Sequence, residues 1–283
     1  MDGDFRDRVV IITGGSEGVG AAVARRFAGA GARLVLVARG REKLERLAAE
    51  LAGGTRVLTV PMDVADEAAC GELLRTVERE LGAVHVLVNN AGYHRRGPVE
   101  AVDAAELGRM IDVNLRAPIV LSRLAMPHLR KAGGGAIINV ASLAGRTPLP
   151  NAATYSASKF GLRAFTFALA EELAGSGIKV AAVSPGPIDT GFIMANIDAV
   201  ADITFSQPLS TPDEVARAVL ELCVNDERER TMPASSRITT TLSYLFPALG
   251  RWIQPALTRK GRRVKARLKA EMEARARRES GAP

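Results

Sequence analysis

Short apolar runs alternate with longer amphipathic segments along the first 225 residues of the chain. The runs, among them RVVIIT, RLVLVAR and IKVAAV, are continuous and rich in β-branched residues, which is typical of strands buried on both faces of a parallel sheet. The segments between them have the length and periodicity of helices. This rhythm predicts an α/β fold with a doubly wound parallel sheet in one domain.

The same pattern places the elements along the chain. Strands are predicted at 8–13, 33–39, 56–60, 85–89, 136–141 and 178–183, and helices at 41–51, 104–131, 154–175 and 212–224. The pattern leaves open whether Thr231–Ser236 adds a seventh strand. We expect residues 1–240 to form the folded domain and residues 241–283 to form an extension that is first apolar and aromatic, then basic.

Composition narrows the classes of function. The net charge of +7 comes from residues 258–283, which hold ten Lys/Arg and three Asp/Glu, so the rest of the chain is neutral and nucleic-acid binding is not expected. The two cysteines and three histidines are scattered, which fits a reducing cytoplasm and predicts no metal site. A secretory signal is not expected at the start, and no run reaches the ~18–20 apolar residues of a membrane span.

A glycine-rich turn, TGGSEGVG, follows the first predicted strand and leads into a helix. A helix N-terminus presents free N–H groups, and glycines let a pyrophosphate approach the backbone closely. Strand, turn and helix together therefore predict a dinucleotide site rather than a plain tight turn. The candidate cofactor-binding residues of this turn are Gly14, Ser16, Glu17, Gly18, Val19 and Gly20.

The end of the second strand indicates which dinucleotide is bound. Folds that prefer NAD place a carboxylate there, whereas this chain has Arg39, whose guanidinium suits the 2′-phosphate of NADP(H). The alternative is a solvated arginine with NAD(H) as cofactor, and the negative charge of Glu17 argues in that direction. Asp63 and Val64 follow the third strand, where Asp63 could hold the adenine or cap the helix that begins near Asp66.

Polar or glycine-containing segments also follow the later strands. Asn90, Ala91 and Gly92 form a bend whose amides could brace the sheet and approach a ligand. Ser142 and Pro185 likewise fall at the carboxyl ends of predicted strands, where open α/β sheets bind their ligands. We therefore expect these dispersed segments to converge on one crevice.

Ser142, Tyr155 and Lys159 form the candidate chemistry. Tyr155 and Lys159 lie one helical turn apart, so the ammonium is expected beside the phenol, where it lowers the pKa of the tyrosine. Ser142 ends an apolar run and could hydrogen-bond a substrate oxygen. The alternative is an ordinary amphipathic helix after a core strand. Asn114 lies within the long predicted helix, where asparagine is unfavourable, so it is either functional or merely a surface residue.

Together these segments resemble the short-chain dehydrogenase/reductase family over residues 6–225. TGGSEGVG resembles the cofactor loop of that family, NNAG from Asn89 its next motif, and PGPIDT its P-G-x-x-x-T segment. The order and spacing of its catalytic tetrad are matched by Asn114, Ser142, Tyr155 and Lys159. The resemblance implies a Rossmann-type sheet with strand order 3-2-1-4-5-6.

The resemblance also implies hydride transfer between a nicotinamide cofactor and a carbonyl or carbinol carbon. Tyr155 would exchange a proton with the substrate oxygen, and Ser142 would orient that oxygen. Lys159 would lower the tyrosine pKa and hold the ribose, and Asn114 would anchor a relay water. The further cofactor contacts that the resemblance implies are Tyr155, Lys159, Pro185, Gly186, Ile188 and Thr190. The alternatives are an NAD-preferring alcohol dehydrogenase and a catalytically silent regulatory protein that binds the cofactor.

Residues 191–211 are the expected substrate lid. Their apolar side chains favour a lipophilic ketone, aldehyde or alcohol as substrate. The candidate substrate contacts in and around this lid are Tyr93, Leu143, Pro187, Phe192 and Ile193.

The extension departs from the family pattern. Its aromatic segment, LSYLFPALGRWIQPAL, precedes clustered Lys/Arg and favours a short helix over the cleft or a subunit neighbour; the alternative is a segment resting on an anionic membrane. Helices 104–131 and 154–175 are apolar on more than one face, which predicts a homodimer or homotetramer. We expect a cytoplasmic protein, with peripheral membrane association left open.

Overall fold

The strands form one parallel sheet in the order β3-β2-β1-β4-β5-β6-β7. The structure, a computed structural model, describes residues 4–189 and 197–279. The predicted order 3-2-1-4-5-6 is confirmed. The sequence left open whether Thr231–Ser236 adds a seventh strand, and the structure has a seventh strand that begins two residues earlier, at Glu229. The strands are β1 (Val9–Thr13), β2 (Arg33–Ala38), β3 (Val57–Pro61), β4 (Val86–Asn89), β5 (Gly135–Val140), β6 (Ile178–Pro185) and β7 (Glu229–Met232).

Helices cover both faces of the sheet. The helices are α1 (Gly18–Gly29), α2 (Arg41–Leu51), α3 (Glu67–Leu81), α4 (Ala104–Ile111), α5 (Ala117–Lys131), α6 (Ala153–Glu172), α7 (Pro212–Val224), α8 (Ser236–Leu245) and α9 (Pro247–Glu279). Apolar residues of α1, α2 and α7 pack on one face, and those of α3, α5 and α6 pack on the other. Within β1, Val10 and Ile12 point to the first face and Val9 and Ile11 to the second, which explains the unbroken apolar runs.

The long helix predicted at 104–131 is two helices, and the single-helix prediction is wrong at its middle. A π-helical turn, Asp112–Arg116, separates α4 from α5 and carries Asn114. The Asn114 side chain accepts a hydrogen bond from the backbone N–H of Tyr93 (3.0 Å) and donates one to its carbonyl (2.9 Å). We attribute the wider turn to these bonds. π-bulges in helices are frequent at functional sites.

The glycine turn is locked to the end of β4. The Thr13 hydroxyl accepts hydrogen bonds from the backbone N–H groups of Asn90 and Ala91, each 3.0 Å long. The Asn90 amide in turn donates to the carbonyls of Thr13 (2.9 Å) and Gly14 (3.2 Å). Gly20, in the first turn of α1, packs so closely against the Gly14 carbonyl that no Cβ fits there. These contacts hold β1, α1 and β4 in the register that forms the crevice.

The C-terminal helix α9 packs along the described part of the predicted lid. Val264 and Leu268 of α9 contact a small apolar cluster formed by Ile197, Val200 and Phe205. No helix among residues 4–189 and 197–279 is both long enough and apolar enough to cross a membrane.

A buried ion cluster ties β7 to the segment after Ser142 and to α8. The Glu229 carboxylate pairs with Arg146 and with Arg163 (2.9 Å), and it accepts a hydrogen bond from the Ser184 hydroxyl (2.7 Å). Arg146 also donates to the Thr240 hydroxyl of α8 (3.0 Å). The side chains of Arg146 and Glu229 are 5% and 8% exposed. The extension is therefore anchored to the body through charge that water does not screen.

Replacing Glu229 by glutamine should destabilise the protein strongly. Glu229→Gln keeps the shape of the side chain but leaves the Arg146 guanidinium buried without a countercharge, which typically costs about 3–5 kcal/mol. Urea denaturation measures the loss. Glu50→Gln, which breaks the exposed pair with Arg25, is the matched control and should have little effect. Equal effects of the two substitutions would contradict the proposed role of burial.

Candidate active site

A cavity of about 1380 Å³ opens at the carboxyl edge of the sheet. Segments that follow β1 to β6 build one part of its wall, and the extension builds another. The predicted site residues that line it are Gly14, Ser16, Glu17, Gly18, Val19, Arg39, Asp63, Val64, Asn90, Ala91, Gly92, Tyr93, Ser142, Leu143, Tyr155, Lys159, Pro185, Gly186, Pro187 and Ile188.

Two predicted residues lie behind the wall. Gly20 does not line the cavity but provides the close contact between α1 and the glycine turn. Asn114 is fully buried and reaches the site through Tyr93, whose backbone it holds. Predicted contacts Thr190, Phe192 and Ile193 lie outside the described residues.

The cavity beside the glycine turn has the features of a dinucleotide cradle. Helix α1 begins there at Gly18, and no side chain caps its first N–H groups, which leaves them available to an anion. Gly14 has a φ of 63°, and a Cβ at this position would lie 2.9 Å from the Asn90 amide nitrogen. A pyrophosphate needs this kind of bare backbone and helix N-terminus, so the residues present fit the cofactor that the family implies.

The charge of Glu17 is neutralised within the structure. Lys43 of α2 lies 2.6 Å from the Glu17 carboxylate, and both residues line the cavity together with Arg39. The negative charge of Glu17 therefore no longer argues against an NADP(H) site. Lys43 was missed in the sequence, although its place four residues after Arg39 on the next helix could have suggested it.

Asp63 has a partner that the sequence did not reveal. Its carboxylate pairs with Arg109 of α4 and accepts a hydrogen bond from the Ala65 N–H (3.0 Å). The interpretation of Asp63 as the helix cap is wrong, because Asp66 accepts from the Ala69 N–H (3.1 Å) and caps α3. Asp63 remains on the cavity wall, where its charge is offset by Arg109.

Lys159 is buried at the centre of the site. It is 5% exposed, and its Nζ donates a hydrogen bond to the Val140 carbonyl at the end of β5 (2.8 Å). A Cβ on Gly92 would lie 3.6 Å from this nitrogen, so the NNAG bend passes directly beside it. Burial lowers the pKa of Lys159 from 10.5 to about 8.

Tyr155 lies close to Lys159, and burial is the largest influence on the pKa of its phenol. The Lys159 Nζ is 5.9 Å from the centre of the Tyr155 ring. Burial raises the pKa of Tyr155, and the Ser142 hydroxyl and the charge of Arg96 partly offset that rise. The net effect is a raised pKa, because burial outweighs the Ser142 hydroxyl and the charge of Arg96. The expected lowering of this pKa by Lys159 stays a prediction.

His94 and Arg96, which sequence reasoning missed, complete the surroundings of Tyr155. The His94 ring stacks on the Tyr155 ring, with centroids 4.2 Å apart and planes at 13°. Burial and the nearby charge of Arg96 lower the pKa of His94 to about 4, so the imidazole is neutral. Its Nε2 is buried and makes no hydrogen bond within the described residues. In the sequence, His94 and Arg96 follow shortly after the NNAG bend, and this position could have suggested a place in the site.

The described lid and the extension line the cavity with apolar side chains interspersed with polar ones such as Gln207 and Gln254. The described lid contributes Val200 and Ile203, and the extension contributes Leu242, Ile253 and Leu257. The tail therefore forms part of the wall against which a substrate would rest.

Comparisons with known proteins identify the family. The model of the short chain dehydrogenase family matches residues 8–200. The chain belongs to the short-chain dehydrogenase family. It is an oxidoreductase that acts on CH–OH donors, which confirms the predicted class of enzyme. Sulfoacetaldehyde reductase 2 of Chromohalobacter salexigens is 36% identical over 236 residues, which cover 80% of this chain and 94% of that protein.

Further members of the short-chain dehydrogenase family are similar in sequence or structure. Cis-4-hydroxycyclohexanecarboxylate dehydrogenase of Sinomonas cyclohexanicum is 37% identical, with 76% of this chain and 88% of that protein covered. L-Sorbose reductase of Gluconobacter frateurii, solved with NADPH and L-sorbose, has a TM-score of 0.72 at 30% identity and covers 82% of this chain and 97% of that one. These matches confirm the predicted Rossmann-type α/β fold.

Burial of Lys159 predicts an unusual dependence of stability on pH. The unfolded chain holds this proton up to the ordinary pKa of 10.5, whereas the folded chain releases it near 8. Between these values the unfolded state binds more protons, so the unfolding free energy of the wild type should rise with pH relative to that of Lys159→Met. The rise across the window is about 3 kcal/mol. Urea unfolding at intervals between these two pH values measures it.

Lys260→Met, which removes an exposed lysine of α9, is the control for this experiment. Curves of unfolding free energy against pH that stay parallel for the wild type and Lys159→Met would contradict the burial of the charge.

Proposed function

We propose that this dehydrogenase uses NADP(H) to interconvert a lipophilic ketone or aldehyde with the corresponding alcohol by hydride transfer. The observation that carries the proposal is the meeting of Ser142, Tyr155 and Lys159 on the wall of one cavity that also contains the cradle at Gly14 and Gly18. The bound nicotinamide would supply or accept the hydride. The protein would bind, orient and exchange the proton.

Each polar group at the centre of the cavity has a distinct task in this proposal. Tyr155 exchanges the proton with the substrate oxygen, and Ser142 holds that oxygen beside the phenol. Lys159 holds the nicotinamide ribose and supplies positive charge when the phenol loses its proton. Asn114 acts behind the wall, where its grip on the Tyr93 backbone fixes the segment that faces Lys159 and supports a water relay.

Removing the Tyr155 hydroxyl should abolish turnover and leave cofactor binding intact. Loss of a general acid–base group typically lowers kcat by about 10²–10⁴-fold. The measurement is NADPH oxidation with a series of ketones that runs from acetone to 2-decanone, together with NADPH affinity by fluorescence titration. Wild-type turnover in Tyr155→Phe would show that Tyr155 does not exchange the proton with the substrate. A wild type that binds NADPH and turns over no carbonyl or alcohol would favour the silent regulatory alternative.

NADP(H) is the proposed cofactor because the ribose end of the cavity is positively charged. Arg39 and Lys43 line this end, and Lys43 neutralises Glu17. The Arg39 guanidinium suits a 2′-phosphate through charge-assisted hydrogen bonds. The similar L-sorbose reductase was solved with NADPH, which supports the same choice.

Arg39→Asp should shift the preference from NADP(H) toward NAD(H). A charge-assisted hydrogen bond contributes about 1.5–3 kcal/mol, so NADPH affinity should fall by roughly 10–100-fold while NADH affinity holds or rises. Arg41→Asp is the matched control, because Arg41 pairs with Glu45 on the surface of α2 and does not line the cavity. Unchanged preference for NADP(H) in Arg39→Asp, or an equal shift in Arg41→Asp, would clear Arg39 of this role. A wild type that binds NADH more tightly than NADPH would support the NAD-preferring alternative.

The proposed substrate is lipophilic and could carry one acidic group. The lid and extension contribute apolar side chains such as Ile203, Leu242 and Leu257 to the cavity wall. Arg96 lines the cavity near Tyr155, and its charge acts on that phenol. Two relatives are named for substrates with a sulfonate or a carboxylate. The ketone series should therefore include matched pairs with and without a terminal carboxylate.

A homodimer or homotetramer in the cytoplasm remains the proposed state, and peripheral membrane contact through the extension remains the alternative. The surface of α6 supports the oligomer, since Phe160 and Phe167 are only partly buried in the single chain.

A further inference from the structure

Large apolar side chains are exposed together where α8 meets α9. Among the described residues, seven of the eleven exposed large apolar side chains lie between Ile238 and Ile253. Trp252 is 80% exposed, Leu245 62% and Phe246 57%. Scattered exposed apolar residues are ordinary, but a contiguous group of this kind marks an interaction surface. We call this group the corner patch.

Helix α9 continues the patch as a two-sided element. Its inner side carries Gly261, Val264 and Leu268, and it packs on the lid so closely that no Cβ fits on Gly261. Trp252, Arg259 and Arg263 follow one another at intervals of seven and four residues, which places them on the opposite side of the helix. The outer side therefore continues from an exposed tryptophan into exposed arginines.

The charged residues between 231 and 270 are all positive. Residues 231–270 contain nine Lys/Arg and no Asp/Glu. Arg262, Lys265 and Lys269 pair with acidic residues of the lid. Arg251, Arg259, Lys260 and Arg263 are exposed and form no ion pair within the described residues.

We propose that the corner patch and the outer side of α9 dock on the surface of an anionic lipid bilayer. Aromatic and aliphatic side chains beside clustered cations suit the boundary between headgroups and acyl chains, because the apolar groups enter it while the cations meet the lipid phosphates. A second copy of the chain fits this surface less well, since a symmetric pairing would bring two positive faces together.

The cavity wall and this surface share residues. Leu242, Tyr244 and Arg251 belong both to the exposed corner and to the cavity wall. A lipophilic substrate dissolved in the bilayer would therefore reach Tyr155 without crossing bulk water. This consequence rests on the proposed function, whereas the docking itself does not.

Trp252 makes the proposal directly measurable, because it is the single tryptophan of the chain. The full-length protein, without cofactor or substrate, is mixed with vesicles of phosphatidylcholine alone or with about one third phosphatidylglycerol. The expected result is flotation with the anionic vesicles, a blue shift of the Trp252 emission, and weakening of both by salt. No flotation and no blue shift with the anionic vesicles would overturn the proposal.

Charge reversal tests the surface itself. Arg259→Glu/Arg263→Glu should bind anionic vesicles at least about tenfold more weakly, since each basic residue near the bilayer contributes to the attraction. Arg46→Glu/Arg130→Glu, which reverses two exposed arginines on α2 and α5, makes the same change in net charge and is the matched control. Equal losses in the two variants would overturn the specific surface. A blue shift that grows with protein concentration without lipid would assign the corner patch to a second copy instead.

The experiment is independent of the chemistry. Vesicle binding with a catalytically inactive wild type would retain the docking surface and reject the proposed function, and the reverse result would do the opposite.

Discussion

A positive charge buried below the edge of the sheet is the constraint on which this site depends. Burying an ammonium costs several kcal/mol unless dipoles replace the lost water. The chain supplies such groups at the end of β5, where the Val140 carbonyl accepts from Lys159, and in the face of the Tyr155 ring. Gly92 and Gly145 let two further backbone segments approach the same turn of α6. With a pKa of about 8, the protonation of this lysine is sensitive to the charge of a group bound beside it.

The sequence carried most of the fold and the central chemistry, because both follow from local pattern. Continuous apolar runs mark buried parallel strands, and Tyr155 and Lys159 mark one face of a helix. The features that the sequence did not reveal depend on contacts between residues that are far apart in the chain. The π-helical turn at Asn114 follows from bonds to Tyr93, and the pairing of Asp63 with Arg109 joins residues 46 positions apart. The effect of burial on Tyr155 is equally invisible in residue spacing.

The extension shows how one helix serves two sides. Its inner side binds the lid through apolar contacts and ion pairs, and α8 is held by Arg146, which lies four residues after Ser142. Because Arg146 also neutralises Glu229 of β7, the extension shares a buried charge with the sheet. The tail is therefore an integral part of the cavity wall, even though the family model ends at residue 200.

The distribution of aromatic rings gives the cavity one more property. Tyr93, Tyr155 and Tyr244 are the three tyrosines of the chain, and all three line this cavity. Trp252 stands between Arg251 and Ile253, which line it too. The near-ultraviolet absorption of the protein therefore arises almost wholly from one region. Circular dichroism in that range reports the state of the site and its tail, and it is nearly blind to the far edge of the sheet at β3.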